Sequence, residues 1–144
     1  MNTKLHDVDF YAWTQQQLDL LKMRNWSEID IDGLIEEIES MAAIERRELI
    51  NRLAVLLAHF LKWQYQPSFR GRSWQLTLKE QRRRLQRLLR DNPSLRARFA
   101  DFIDDAYGDA ILLAAKETGL DENSFPSDCP YTEKNILDTE FHPN

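Results

Sequence analysis

The sequence predicts an all-α protein: a single helical domain over residues 1–144, with about four main helices and a short C-terminal helix. Three observations carry this expectation. Apolar residues recur every three or four positions through four long segments, the periodicity of a helix with one buried face. They alternate over no stretch of strand length. The chain has only 4 Gly and 5 Pro among 144 residues, too few for the turns of a many-stranded fold. A chain of this length suits one domain with a hydrophobic core that needs no disulfide or metal to hold it.

The first helix is expected from a cap at Asp7 or Asp9 to about Met23, with Phe10, Trp13, Leu20 and Leu21 on one side. The connection "RNWSEID" follows, where Ser27 and Asp30 have the spacing of a weak capping box. From Ile31 to Trp63 the positions Ile31, Ile35, Ile38, Ala42, Leu49, Leu53, Leu56 and Phe60 keep helical spacing and predict one long helix, with room for a bend near Ser40–Ala43. Acids at Glu36, Glu37 and Glu39 suit the positive end of its dipole. Pro67 and Gly71 mark "QYQPSFRGRS" as a loop. Ser73 is the expected cap of a helix from Trp74 to about Arg90, with Trp74, Leu78, Leu85, Leu88 and Leu89 inward and Arg82 on the flank. "DNP" then pairs an N-cap, Asn92, with a proline at the first helical position. The helix it opens is expected to run to Thr118, where Gly119 stops it. Its inward face is Leu95, Phe99, Phe102, Ile103, Ala106, Ala110 and Leu113. Finally, Thr132 is placed to cap a short helix ending near Asp138.

Charge divides the chain into three blocks. Residues 1–61 carry a net −5, residues 62–98 a net +9 and residues 99–144 a net −9, for a total of −5. A basic block between two acidic ones suits internal charge complementarity at least as well as an external partner. The single cysteine, Cys129, excludes an internal disulfide or a cysteine zinc site and points to a reducing compartment. The N-terminus "MNTKLHDVDFYAW" has no apolar signal core, and the longest apolar run, "LAVLLAHFL", is too short to cross a bilayer. A cytoplasmic location is expected. Phosphate-binding and dinucleotide-binding glycine motifs are missing, as are G-x-S-x-G, H-E-x-x-H and zinc-finger spacings.

Several stretches carry a family resemblance. "DFYAW", "LIEEIESM", "LLAHFLKWQYQP" and "RSW" are followed in order by "RDNPSL", "ETGL" and "FPSDCPYT", covering nearly the whole chain. Together they resemble a bacterial, largely cyanobacterial family, domain of unknown function (DUF) family 29. The resemblance implies a small all-helical domain of about this length. It implies no activity and assigns no catalytic residue.

Four constellations are candidates for function. His59 lies near Trp63 and Arg52 on a helical wheel, with Glu45 and Glu48 close by. Read functionally, that is the centre of a small metal-dependent enzyme; read structurally, it is a partly buried histidine beside an i, i+4 ion pair. Glu36–Glu39 could lend carboxylates to a metal, but no E-x-x-H motif accompanies them. His6 and His142 lie near the termini and are poor candidates. Trp63, Tyr65, Phe69, Arg70, Arg72 and Trp74 interleave aromatics with arginines, a pattern that can stack bases and grip phosphates. In "KEQRRRLQRLLR", Arg83, Arg87 and Arg90 point away from the leucine stripe and form a charged ridge. The expected function is therefore a binding module, with Arg70, Arg72, Arg83, Arg87 and Arg90 meeting a polyanion such as nucleic acid or an acidic protein partner. A second copy is a further candidate partner, because Asp101, Asp105 and Asp109 form an acidic stripe. No cofactor is expected, and whether the chain is an enzyme stays open at this point.

Overall fold

The computed structural model describes residues 4–144, and every regular element among them is helical. The main elements are α1 (Leu5–Val8), α2 (Phe10–Lys22), α3 (Ile31–Tyr65), α4 (Arg72–Asp91), α5 (Pro93–Ala97), α6 (Phe99–Thr118) and α7 (Glu133–Leu137). Short 3-10 turns lie between several of them. None of these helices is long and apolar enough to cross a membrane. The chain divides into two compact units, the first ending at Ile44 and the second comprising Glu45–Asn144. The backbone of α3 contributes to both.

In the first unit, Asp9, one of the two caps the sequence offers, caps α2 by accepting from the Ala12 amide at 3.1 Å. The end of α2 is less conventional. Asn25 N–H bonds the Leu20 carbonyl and Arg24 N–H that of Leu21, while Arg24 takes φ +56°. That is a Schellman closure with arginine in the left-handed position usually given to glycine. The expected Ser27–Asp30 capping box does not form. Ser27 Oγ donates to Asn25 Oδ1 instead, and Asp30 is itself the cap of α3, accepting from Gly33 N–H at 3.0 Å. Asp30 also accepts from Trp13 Nε1 at 2.9 Å, and its own amide donates to Gln17 Oε1 at 2.8 Å. Trp13 and Gln17, one turn apart on α2, are thereby buried against the start of α3.

The second unit holds the large apolar core. Leu49, Leu53, Leu56, Leu57, Phe60 and Leu61 of α3 meet Leu78, Leu85 and Leu89 of α4. Phe99, Phe102, Ile103, Ala106, Tyr107, Ala110 and Ala114 of α6 close it, with Ile136 of α7 and the loop residues Phe125 and Tyr131. Gly119 ends α6 at φ +78°, its amide bonded to Ala115 O. Thr132 and Asn135 form a reciprocal capping box on α7.

Four local expectations are corrected. α4 starts at Arg72 with Gly71, not Ser73, at the cap. Trp74 and Leu88 are only half-buried. Asn92 does not cap α5, because its side-chain amide turns back to donate to the Leu88 carbonyl, closing α4. The helix expected from Pro93 to Thr118 is broken at Arg98, where a tight turn (Arg98 N–H to Leu95 O, 3.1 Å) separates α5 from α6.

The largest departures concern α3 and Arg82. The predicted stripe on α3 is buried from Leu49 onward, yet Ile31 and Ile38 are 61% and 64% exposed. Arg82, expected on a flank, is 2% exposed. Its Nε donates to Ile136 O at 3.1 Å, and its Nη2 donates to Asn135 O at 3.1 Å and Phe141 O at 2.7 Å. The guanidinium also lies 5.0 Å from the Phe60 ring centre. Burial pushes its pKa below the ordinary value, and the nearby Asp138 charge opposes that shift.

Two substitutions test this packing. Gly33→Ala gains roughly 1 kcal/mol of helix propensity, but its Cβ would sit 2.7 Å from the Trp13 ring and against the Asp30 carboxylate. Overpacking of this kind costs roughly 1–3 kcal/mol. We expect a net loss of stability in thermal unfolding; a raised melting temperature would show that Trp13 yields freely. Arg82→Met strands three carbonyls, and with charge-assisted bonds worth roughly 1.5–3 kcal/mol each it should destabilise the chain by at least about 3 kcal/mol in urea titration. A loss under about 1 kcal/mol would mean that the carbonyls find other donors.

Candidate functional site

The amphipathic pattern of α4 explains how it presents charge. Leu78, Leu85 and Leu89 fall on one side and enter the core. At about 100° per residue, Lys79, Arg83, Arg87 and Arg90 then lie on the opposite side, and all four are exposed. Among the described residues neither Arg83 nor Arg87 makes an ion pair or a hydrogen bond. Arg90 lies 3.7 Å from Asp91, with both side chains largely in solvent, so the pair is weak.

Two grooves run beside this ridge, both within the second unit. One, of about 560 Å³, is lined by Glu48, Arg52, Glu80, Arg83, Arg84 and Arg87, with Leu88 and Asp91 at its edge. Its charges are interleaved. Arg52 bonds Glu48 at 2.8 Å and Arg84 bonds Glu80 at 2.8 Å, both one helical turn apart. The other groove, of about 620 Å³, includes Lys79, Arg82, Arg83 and Gln86 from α4, with Thr139, Glu140 and His142 from the tail. Arg83 lines both.

The aromatic loop contributes less than its composition suggests. Trp63 is buried, and Arg70 donates from Nε to the Trp63 carbonyl at 2.6 Å, with its guanidinium 5.3 Å from that ring's centre. His142 lies over the same ring, centroids 5.0 Å apart. Lys62 sits 4.9 Å from the Trp74 ring centre and bonds Glu117 at 2.8 Å. Arg70 is thus engaged internally, whereas Arg72 is exposed at the start of α4. Phe69 is exposed as well, but Tyr65 packs edge-on against Phe125. Asp101, Asp105 and Asp109 of α6 are all exposed, and Arg98 approaches Asp101 at 3.8 Å.

His59 does not join the glutamates placed near it on the wheel. Its Nδ1 lies 3.0 Å from the Val55 carbonyl one turn back, so it carries the proton and donates. Burial depresses its pKa, and the charges acting on the ring are Lys62 and Glu117, not Glu45 or Glu48. Among the described residues no group of three or more His, Cys, Asp or Glu side chains is placed to hold a metal ion.

His6, discounted for its terminal position, is well engaged. Its Nε2 lies 2.6 Å from Glu37 Oε1, and its ring packs edge-on against Trp13, centroids 4.5 Å apart. The carboxylates of Glu37 and Asp7 raise its pKa. No local signal could have found this pair, whose members are 31 residues apart.

A family profile described as domain of unknown function DUF29 matches residues 5–142. The chain belongs to this family. The DUF29 match runs through both compact units and all seven helices. No curated protein and no solved structure matches the chain significantly.

The His59 geometry predicts a pH effect of definite sign. Its folded-state pKa is depressed below 6.5, so the unfolded chain binds the proton first as pH falls. The His59 contribution is complete at neutral pH and declines from about pH 6.5 downward through the folded-state pKa. His59→Gln, which keeps a donor but cannot titrate, should lose less stability than wild type between pH 7 and pH 5. Parallel stability–pH curves for the two proteins would refute this account of the ring.

Proposed function

We propose that the chain is a binding module whose α4 face docks on an acidic protein surface. The observation that carries this is the pair of free, exposed arginines, Arg83 and Arg87, in a groove that also contains Glu48, Glu80 and Asp91. Duplex DNA presents a charge about every 1.7 Å along its axis, and interleaved acids repel such a continuous run. Discrete carboxylates on a protein can be placed opposite each arginine while avoiding the acids. Arg72 and Arg90 extend the ridge at its two ends, and Arg70 shapes the loop beside Trp63. The exposed Asp101, Asp105 and Asp109 make a second copy of the chain one source of such an acidic surface. The geometry favours no metal-dependent chemistry at His59. Coverage of both units by one family profile supports reading them as a single domain.

The test compares wild type with the Arg83→Gln/Arg87→Gln/Arg90→Gln variant. Both are titrated with a helical peptide bearing glutamates one turn apart and with single- and double-stranded oligonucleotides at low and moderate salt. Wild type should bind the glutamate peptide and weaken as salt rises. Exposed pairs contribute roughly 0.2–1 kcal/mol each, so losing three should weaken binding by about tenfold, with helicity unchanged. Tighter oligonucleotide binding, with a log–log salt slope near −0.9 per duplex phosphate, would transfer the surface to nucleic acid. A salt-sensitive dimer lost in the variant would identify the partner as a second copy. Absence of all three would remove the proposal.

A further inference from the structure

The first unit carries an apolar ridge that its own packing leaves uncovered. Around the axis of α3, Gly33 lies against Trp13 and Glu37 bonds His6, so that side is occupied by α1 and α2. Continuing round at about 100° per residue, Met41, Ile38, Ile31 and Ile35 follow one another over an arc of about 120°. All four are exposed in the described chain. The next positions round the helix are Glu39, Asp32 and Glu36, also exposed, and among the described residues none of them makes an ion pair. The apolar ridge therefore has an acidic border on one side.

We propose that this ridge is the docking surface for a cationic amphipathic helix of another protein. The occupant follows from charge complementarity. A helix with an apolar stripe bordered by Lys or Arg buries the isoleucines and meets Asp32, Glu36 and Glu39 with its charges. Its basic side chains also cover apolar surface with their methylene stems. A second copy fits less well, because antiparallel pairing of the ridge sets its acidic border against the same border of the partner. An anionic membrane surface is repelled for the same reason. Residues 1–44 carry nine acids against three Lys and Arg, which strengthens the discrimination.

The probe is a helical peptide of leucine and lysine, with leucines on one stripe and lysines on its borders. Two controls replace lysine by glutamate or scramble the order. Titrated into the full chain, the leucine–lysine peptide should bind one to one and weaken as salt rises. Ile35→Ser/Ile38→Ser should reduce the affinity at least tenfold. Asp32→Asn/Glu36→Gln/Glu39→Gln should keep weaker binding and lose its salt dependence. Every altered side chain is exposed, so circular dichroism should show unchanged helicity. Equal binding by the scrambled peptide, glutamate-peptide binding that Ile35→Ser/Ile38→Ser weakens as much, or indifference to both sets of substitutions would overturn the proposal, as would no binding at all. A dimer of the chain abolished by Ile35→Ser/Ile38→Ser would assign the ridge to a second copy. The α4 arginines repel this peptide, so failure here leaves the acidic-partner reading of that helix intact.

Discussion

The carbonyls that close a helix have no partner within it, and one that is buried must find a donor or weaken the fold. At the end of α7 the donors come from a different helix: Arg82 reaches the Asn135 and Ile136 carbonyls and the Phe141 carbonyl of the tail, and Gln86 that of Leu137. Burying a guanidinium is costly, and desolvation accordingly lowers the Arg82 pKa. Three hydrogen bonds and the Phe60 ring offset it. Much else in the second unit relies on the result. With α7 and the tail held on α4, Ile136 enters the core and Phe141 lies edge-on to Phe60 and Tyr131. Thr139, Glu140 and His142 then form one wall of the groove beside Arg83. The exposed charge of α4 and the structure that presents it are thus organised by adjacent arginines with opposite fates.

Local chemistry was the most legible part of the sequence. The caps at Asp9 and Thr132 and the left-handed stop at Gly119 involve neighbours within four residues, where spacing alone sets geometry. The outward direction of Arg83, Arg87 and Arg90 followed from the leucines opposite them. Arg82 was misread although the information was present. On the wheel it falls about 20° beyond Leu89, at the edge of the leucine stripe, and its charge argued for the flank over the core. The carbonyls that make an inward arginine tolerable lie more than fifty residues away.

Position along α3 was misread for a different reason. Periodicity reports which side of a helix is apolar and carries no information about what covers it. The same isoleucine and leucine spacing is buried beyond Leu49 and exposed before Ile44. His59 shows a related limit. A wheel places Glu48 and Glu45 on its flank, but side chains about three and four turns away need not meet, and Val55, Lys62 and Glu117 took those places.

α3 runs 35 residues without interruption, about 52 Å at 1.5 Å per residue, and the boundary between the two units falls inside it. Division by packing and division by chain therefore disagree. Severed at Ile44, the first unit would keep only about four turns of this helix, close to the length at which an isolated helix is marginal in water. Helix propagation is cooperative, so turns anchored by Leu49, Leu53 and Leu56 also hold the turns that precede them. The two units thus share their stability through one backbone. A change that loosens the buried half of α3 reaches the exposed half along the hydrogen-bond ladder.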